Sequence, residues 1–216
     1  MRKKTLETLE QSAAQAVRRN PTQQRSRERQ ERILTVATQL IADKGCDQLK
    51  MSEIAEHSGI SIGSLYQYFP DKSSVIRTLA ERYNAESRRC ITQAMEAVED
   101  AQGLQVAYVQ LLDLYYEIVM ATPVMRDIWS GMQADKQLLR LELEESRVAG
   151  ALLAQAMHRV YPDIDEQQVQ ASAFLIWHLG EATIRLAVTC APEEGRALVE
   201  AFKRMSLRQI MEPVLD

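Results

Sequence analysis

Apolar side chains recur at helical spacing along most of the chain, and the runs break at glycine and proline. Residues 1–24 show only a weak pattern, at Leu6, Leu9, Ala13 and Val17. From about Arg25 to Asp43, Ile33, Val36, Ala37, Leu40 and Ile41 predict a firm helix, which Gly45 ends. Ile54 and Ala55 then lie three to four residues before Ser58, and Gly59 supplies the left-handed backbone that stops a helix. Ile60 packs inward from that turn. Ser61 caps a second short helix with Leu65 and Phe69 on its inner face, and Pro70 closes it. Asp71 caps a long helix, Ser73 to about Glu99, whose apolar side is Val75, Ile76, Leu79, Tyr83, Ile91, Met95 and Val98. Beyond Gly103 the spacing predicts further helices over roughly 104–121, 123–133, 135–160, 165–190 and 193–211, broken at Thr122-Pro123, Tyr161-Pro162-Asp163 and Ala191-Pro192.

The stretch Ser52–Lys72 is the one with a second purpose. Its inner residues leave Ser61, Ile62, Gly63, Ser64, Tyr66, Gln67 and Tyr68 at or near the surface. Small and hydroxylated groups at a helix start, followed by amide and phenol groups, suit close approach to a polar surface such as a DNA groove. Two short helices across a tight turn in this pattern read as a helix-turn-helix. With RILTVATQLIADKG, EIAEHSGIS and GSLYQYFPDK as its motifs, the segment from about Arg32 to Leu79 resembles the DNA-binding domain of the tetracycline-repressor (TetR) family.

The resemblance covers roughly the first third of the chain and implies an all-α protein. An N-terminal three-helix helix-turn-helix domain would be joined by a long helix to a C-terminal helical ligand-binding and dimerisation domain. The expected boundaries are a flexible basic arm over 1–24, the DNA-binding domain over 25–72 and the second domain over 73–216. Residues matching the family's pattern take roles from it: Tyr66 and Lys72 on phosphates with Tyr68 beside them, and Ser61, Ile62, Gly63, Ser64 and Gln67 nearest the base edges. Ser52 offers its hydroxyl to a phosphate. Two positions depart from the pattern. Ile62 replaces a polar or basic residue, which favours contact with a thymine methyl. Lys50 stands where a Thr often caps the helix, weakening the cap by about 1 kcal/mol.

Charge supports the same division. The whole chain of 216 residues has a net charge of −4, but residues 1–77 hold 13 Lys and Arg against 9 Asp and Glu, and the remainder 13 against 21. The first part is thus +4 and the rest −8. Screening over about 8 Å at physiological salt keeps a distant acidic domain from cancelling a local basic face. Arg18, Arg19, Arg25, Arg27 and Arg29 make the arm basic. It is either a solvated tail or a strand laid along phosphates or in the minor groove.

The body is rich in large adaptable apolar groups, including Tyr108, Leu112, Tyr115, Tyr116, Met120, Met125, Trp129 and Met132, with Phe174, Trp177 and His178 on a later helix. Such stripes are ordinary core in most proteins. The family resemblance implies a small-molecule effector site among them, lined by Tyr108, Tyr116, Met120, Met125, Trp129, Phe174, Trp177 and His178, with His178, Glu181 or Tyr116 as polar anchors. The last two helices have further apolar faces: Phe174, Leu175, Ile176, Leu179 and Leu186 among small residues on one, Leu198, Ala201, Phe202, Met205 and Ile210 on the other. Paired between two subunits they would make the four-helix interface of a homodimer, as the resemblance also implies; the alternative is an intramolecular core.

No reactive constellation stands out. HEXXH, a CXXC pair and a phosphate-binding glycine loop are absent, and three His residues give metal or imidazole chemistry little to draw on. His178 and Glu181 stand in the order opposite to a di-iron Glu-x-x-His pair. We therefore expect neither enzyme activity nor a cofactor or metal, with a helical enzyme or a metal sensor as remote alternatives. Three widely spaced cysteines, Cys46, Cys90 and Cys190, favour reduced thiols over a disulfide framework. Without a secretory signal or an apolar run of membrane length, the expected address is the cytoplasm. The combined expectation is a ligand-responsive transcription factor: a homodimeric repressor of a palindromic operator on double-stranded DNA, released by a small molecule, or an activator of the same architecture.

Overall fold

In the computed structural model, backbone is described for residues 2–133 and 135–212, and side chains for 23–132 and 135–212. The regular elements among them are all helices: α1 (Arg2–Lys44), α2 (Met51–His57), α3 (Ile62–Tyr68), α4 (Lys72–Glu96), α5 (Ala101–Ala121), α6 (Pro123–Gln133), α7 (Lys136–Val160), α8 (Glu166–Ala187) and α9 (Pro192–Met211). The all-α expectation holds. Over 1–24, where the sequence reading expects a basic arm, the backbone is helical from Arg2 and continuous with the rest of α1. Good helix formers such as Ala, Gln, Glu, Leu and Arg dominate that stretch.

The chain divides into two units, Met1–Val75 and Ile76–Asp216. In the first, Ile33, Leu34, Ala37 and Ile41 of α1 are buried with Leu49, with Ile54 and Ala55 of α2, and with Leu65 and Phe69 at α3. The α2–α3 turn is the hinge of this packing. Gly59 has φ +66°, and a Cβ built on it would meet nothing within 4 Å, so the need for glycine is conformational, not steric. Its amide donates to the Glu56 carbonyl and that of Ile60 to the Ala55 carbonyl, each at 3.0 Å, which is a full Schellman ending. Ser61 starts α3 by accepting from the Ser64 amide at 3.1 Å. Asp71 starts α4 in the same way, accepting from the Ser74 amide at 2.7 Å, while Ser74 Oγ donates to the Asp71 carbonyl.

In the second unit α7, α8 and α9 pack in sequence, with α5 against α9. Its core includes Leu104, Tyr108, Leu153, Met157, Ala173, Ile184 and Ile210. Gly150 lets α7 touch α8 backbone to backbone, because a Cβ there would come within 2.6 Å of the Phe174 Cα. The Tyr108 hydroxyl, buried in this core, donates to Ser206 Oγ at 2.7 Å. Lys203 is buried between α9 and α5, with its ammonium 2.6 Å from Asp113 and also against Glu200. No helix among the described residues is long and apolar enough to cross a membrane.

Candidate nucleic-acid interface and body cavity

The geometry of α3 follows from its length. Seven residues make two turns, so one buried anchor, Leu65 at 0% exposure, leaves nearly every other side chain outside. Ser61, Ile62, Gly63, Tyr66 and Gln67 are exposed, and Ser64 and Tyr68 half-buried. Ile62 and Tyr66 are large groups left 43% and 49% open, one turn apart. An apolar β-branched side chain left partly open at the start of an otherwise hydroxylated face suits contact with a methyl-bearing surface. Ser64 Oγ accepts from Ser61 Oγ at 3.1 Å. The Tyr68 hydroxyl accepts a long bond, 3.4 Å, from Ser26 Oγ on α1, a neighbour the sequence did not suggest.

Ser52 is exposed on α2. Lys50 is the N-cap residue of α2 and makes no side-chain cap, so its first amides are left for solvent or a ligand. Glu53, three residues on, takes the Lys44 ammonium at 2.5 Å and also bonds the Lys50 backbone, and the Lys44 bond first of all holds its carboxyl below the usual range. Lys72 is engaged within the unit. Its ammonium donates to the carbonyls of Cys46 and Asp47 at 3.2 and 3.3 Å, so it ties the α1–α2 loop and keeps one donor for a phosphate. Of the expected basic arm, Arg25, Arg27 and Arg29 are exposed on α1; the side chains of Arg18 and Arg19 lie outside the described residues.

The second unit contains a run of small cavities meeting at Tyr115. The main one, about 90 Å³, is lined by Tyr83, Glu86, Ser87, Cys90 and Ile91 of α4, Leu111, Leu114, Tyr115 and Ile118 of α5, Met125 of α6 and Trp177 of α8. That is less than the roughly 150 Å³ that accepts a benzene, so a larger ligand needs its walls to move. Three voids of about 20 Å³ share Tyr115 with it: one reaches Trp129 and Met132, one Glu145 and Glu181, one Tyr108 and Glu181. A shallower groove of about 470 Å³ continues between α4 and α5 from Cys90, Leu111 and Leu114.

This geometry regroups the residues expected at an effector site. Met125, Trp129 and Trp177 line cavities together. Tyr108 borders only one small void and is a core residue at 1% exposure. Tyr116, Met120, Phe174 and His178 border none of these cavities. The Tyr116 hydroxyl sits by Gly195 at the start of α9, and Met120 is 39% exposed. Phe174 lies under the Arg147 guanidinium, 4.8 Å from its ring centroid, and stacks with His178 at 6.1 Å. A helix turns its residues through 100° each, so neighbours in an aromatic stripe face different partners. The wall supplied by α4 combines Tyr83 and Ile91, which the spacing placed on the helix's apolar side, with Ser87 and Cys90, which it did not single out.

Glu181, one of the expected anchors, does line two of the voids. It accepts from Ser146 Oγ at 2.6 Å, and that hydroxyl is also 3.2 Å from His178 Nδ1 and 3.1 Å from the Glu142 carbonyl. Burial first of all, with Glu142 nearby, pushes the Glu181 carboxyl up to about 7 against the pull of Ser146 and Arg185.

A helix-turn-helix with an outward polar face, followed by a separate helical body that holds a cavity, defines the class: a helix-turn-helix DNA-binding regulator. Residues 33–79 match the family described as bacterial regulatory proteins, tetR family, and residues 102–214 match the tetracyclin repressor-like, C-terminal domain. The chain belongs to the tetracycline-repressor family of transcriptional regulators. Among relatives it is similar to the HTH-type transcriptional regulator BetI of Cronobacter sakazakii, 24% identical over 83% of this chain and 91% of that protein. It is also similar to the nucleoid occlusion factor SlmA of Pasteurella multocida, 29% identical over 35% of this chain; the match spans 39% of that relative's length. A TetR-family transcriptional regulator from Streptomyces coelicolor shares the fold, with a TM-score of 0.66 and 23% identity over 88% of this chain and 99% of that one.

Proposed function

We propose that the chain is a cytoplasmic homodimeric repressor whose two α3 helices enter successive major grooves of a palindromic operator, about 34–36 Å apart, and leave it when a small molecule occupies the body. The observation that carries this reading is the outward face of α3, with Ser61, Ile62, Gly63, Tyr66 and Gln67 exposed around a single buried anchor. Ser61, Ile62, Gly63, Ser64 and Gln67 then meet base edges, and Ser52, Tyr66, Tyr68 and the remaining Lys72 donor meet phosphates. An unpartnered apolar stripe supports the dimer: Leu175, Leu179 and Leu186 of α8 are 54%, 45% and 53% exposed, and Met205 of α9 is 71% exposed. To turn occupancy from 99:1 to 1:99 the effector must prefer the released state by about 5.5 kcal/mol.

Selecting operators from random DNA with the full chain tests this. The expected product is a palindrome with half-sites one helical turn, or a multiple, apart. Gln67→Ala then changes the preferred base at one position of each half-site, and Leu179→Arg yields a monomer that binds the operator weakly. A selected pool without two-fold symmetry overturns the dimeric reading; a rise in transcription on binding overturns repression.

A further inference from the structure

Two of the small voids in the body are lined by a carboxyl group whose surroundings leave it short of positive charge. Glu181 on α8 meets Ser146, Glu142 and Glu145 from α7, His178, Trp177 and Arg185 from its own helix, Tyr115 from α5 and Arg88 from α4. The two guanidiniums in that group are already taken. Arg185 lies 2.5 Å from Glu142, and Arg88 holds Glu145 through two nitrogens, one at 3.2 Å. Three carboxyls therefore face two guanidiniums, and Glu181 is left with the neutral donors Ser146 and Trp177. Its side of the cavity is electrostatically incomplete.

The remaining walls narrow the choice of what completes it. The adjoining cavity of about 90 Å³ shares Tyr115 and Trp177 with the voids at Glu181, and its walls also include Tyr83, Ile91, Leu111 and Met125, with Glu86 as a second carboxylate. Aromatic faces attract a cation and repel an anion, and apolar walls favour a ligand that brings its own hydrocarbon. We infer that the body, its walls moving to join these adjoining voids, binds a lipophilic cation, an aromatic ring carrying an ammonium group, with the positive charge on Glu181 and the ring between Tyr83, Tyr115, Met125 and Trp177. This rests on the reading of the body as an effector site and names the chemical class that site takes. A carboxyl held up to about 7 adds a signature: a cation that cannot itself titrate must displace the proton from Glu181, so its affinity rises with pH until that proton is gone.

Three probes of one shape test the inference: benzyltrimethylammonium, its neutral carbon isostere neopentylbenzene, and the anion phenylmethanesulfonate. Binding to the full chain without DNA is read calorimetrically. The cation is expected to bind about tenfold more tightly than the neutral isostere at pH 8, and the anion more weakly than both. Cation affinity rises by up to about tenfold per pH unit below 7 and levels off above it, while that of neopentylbenzene does not rise. Glu181→Gln removes the pH dependence and at least about tenfold of the cation's affinity; retained binding of neopentylbenzene shows that the variant is folded and its cavity intact. Equal binding of cation and neutral isostere, tighter binding of the anion, undiminished cation affinity in Glu181→Gln, or no binding of any probe overturns the inference. The last of these leaves the DNA-binding reading standing, because operator selection tests it separately. Conversely, a cation that binds as expected but leaves operator occupancy unchanged removes effector release and keeps the assigned ligand class.

Discussion

The two units present their candidate sites in opposite ways. The helix-turn-helix builds its surface from one seven-residue helix anchored by a single buried leucine, so its outward-facing residues fall within one short stretch of the chain. The body encloses its main cavity, and the walls come from α4, α5, α6 and α8, with Tyr83 and Trp177 nearly a hundred positions apart. A short helix on a small core has no second partner to cover its outer face. A bundle of long helices covers every face but leaves gaps where side chains of unequal size meet. Exposure in the first unit is local in origin; enclosure in the second is collective.

If enclosure is collective, the largest single loss should come from the bundle core. Leu153→Ala, at a fully buried position, is expected to cost about 3 kcal/mol. Trp fluorescence during denaturation reads it cleanly, because Trp129 and Trp177 both lie in the body. A loss below about 1 kcal/mol would mean that this core repacks as freely as a surface.

Glu181 gives the next effect. Its pKa of about 7 in the folded chain lies above the ordinary 4.5, so folding takes up a proton between those values. Stability is unaffected by this group below about pH 4.5 and falls as pH rises to about 7, by about 3 kcal/mol at most. Glu181→Gln should therefore match the parent protein near pH 4.5 and exceed it at pH 8, in denaturant titrations at the two values. Equal stability at both would place the carboxyl in water instead of among the helices.

Smaller changes are expected in the first unit. Gly59→Ala keeps ample space but forces a Cβ into left-handed backbone, at about 1–2 kcal/mol. The measurable consequence is weaker operator binding with the Trp-reported transition of the body unmoved. Lys50→Thr supplies the missing α2 cap and should stabilise the unit by about 1 kcal/mol, read by amide exchange of Ile54 and Ala55. A destabilised Lys50→Thr would show that the Lys50 side chain does something other than leave a cap empty.

The legible parts of the molecule are those with a local cause. Gly59 ends α2, Ser61 and Asp71 cap α3 and α4, and Pro123 opens α6, each through backbone geometry or a hydrogen bond reaching three residues. The breaks at Pro123, Pro162 and Pro192 were readable for the same reason, whereas α5 begins at Ala101, ahead of the expected 104, on the Asp100 cap, and α8 ends at Ala187, short of 190. So was the outward face of α3, since Leu65 and Phe69 already say which side is inside. The helical backbone ahead of residue 25 was legible only faintly, because its apolar pattern is weak and helix propensity alone carries it.

What the amino-acid order determined alone is the all-helical fold, the helix-turn-helix and the choice of residues it turns outward, because each depends on contacts within one or two turns. Which aromatic groups share a cavity was decided by the tertiary structure. Met125, Trp129 and Trp177 meet around Tyr115, whereas Phe174 and His178 turn to Ser146 and Arg147 on α7, and Tyr116 to α9. The reason is rotational: a shift of one residue swings a side chain through 100°, and only the packing of α7, α8 and α9 against one another sets where zero lies.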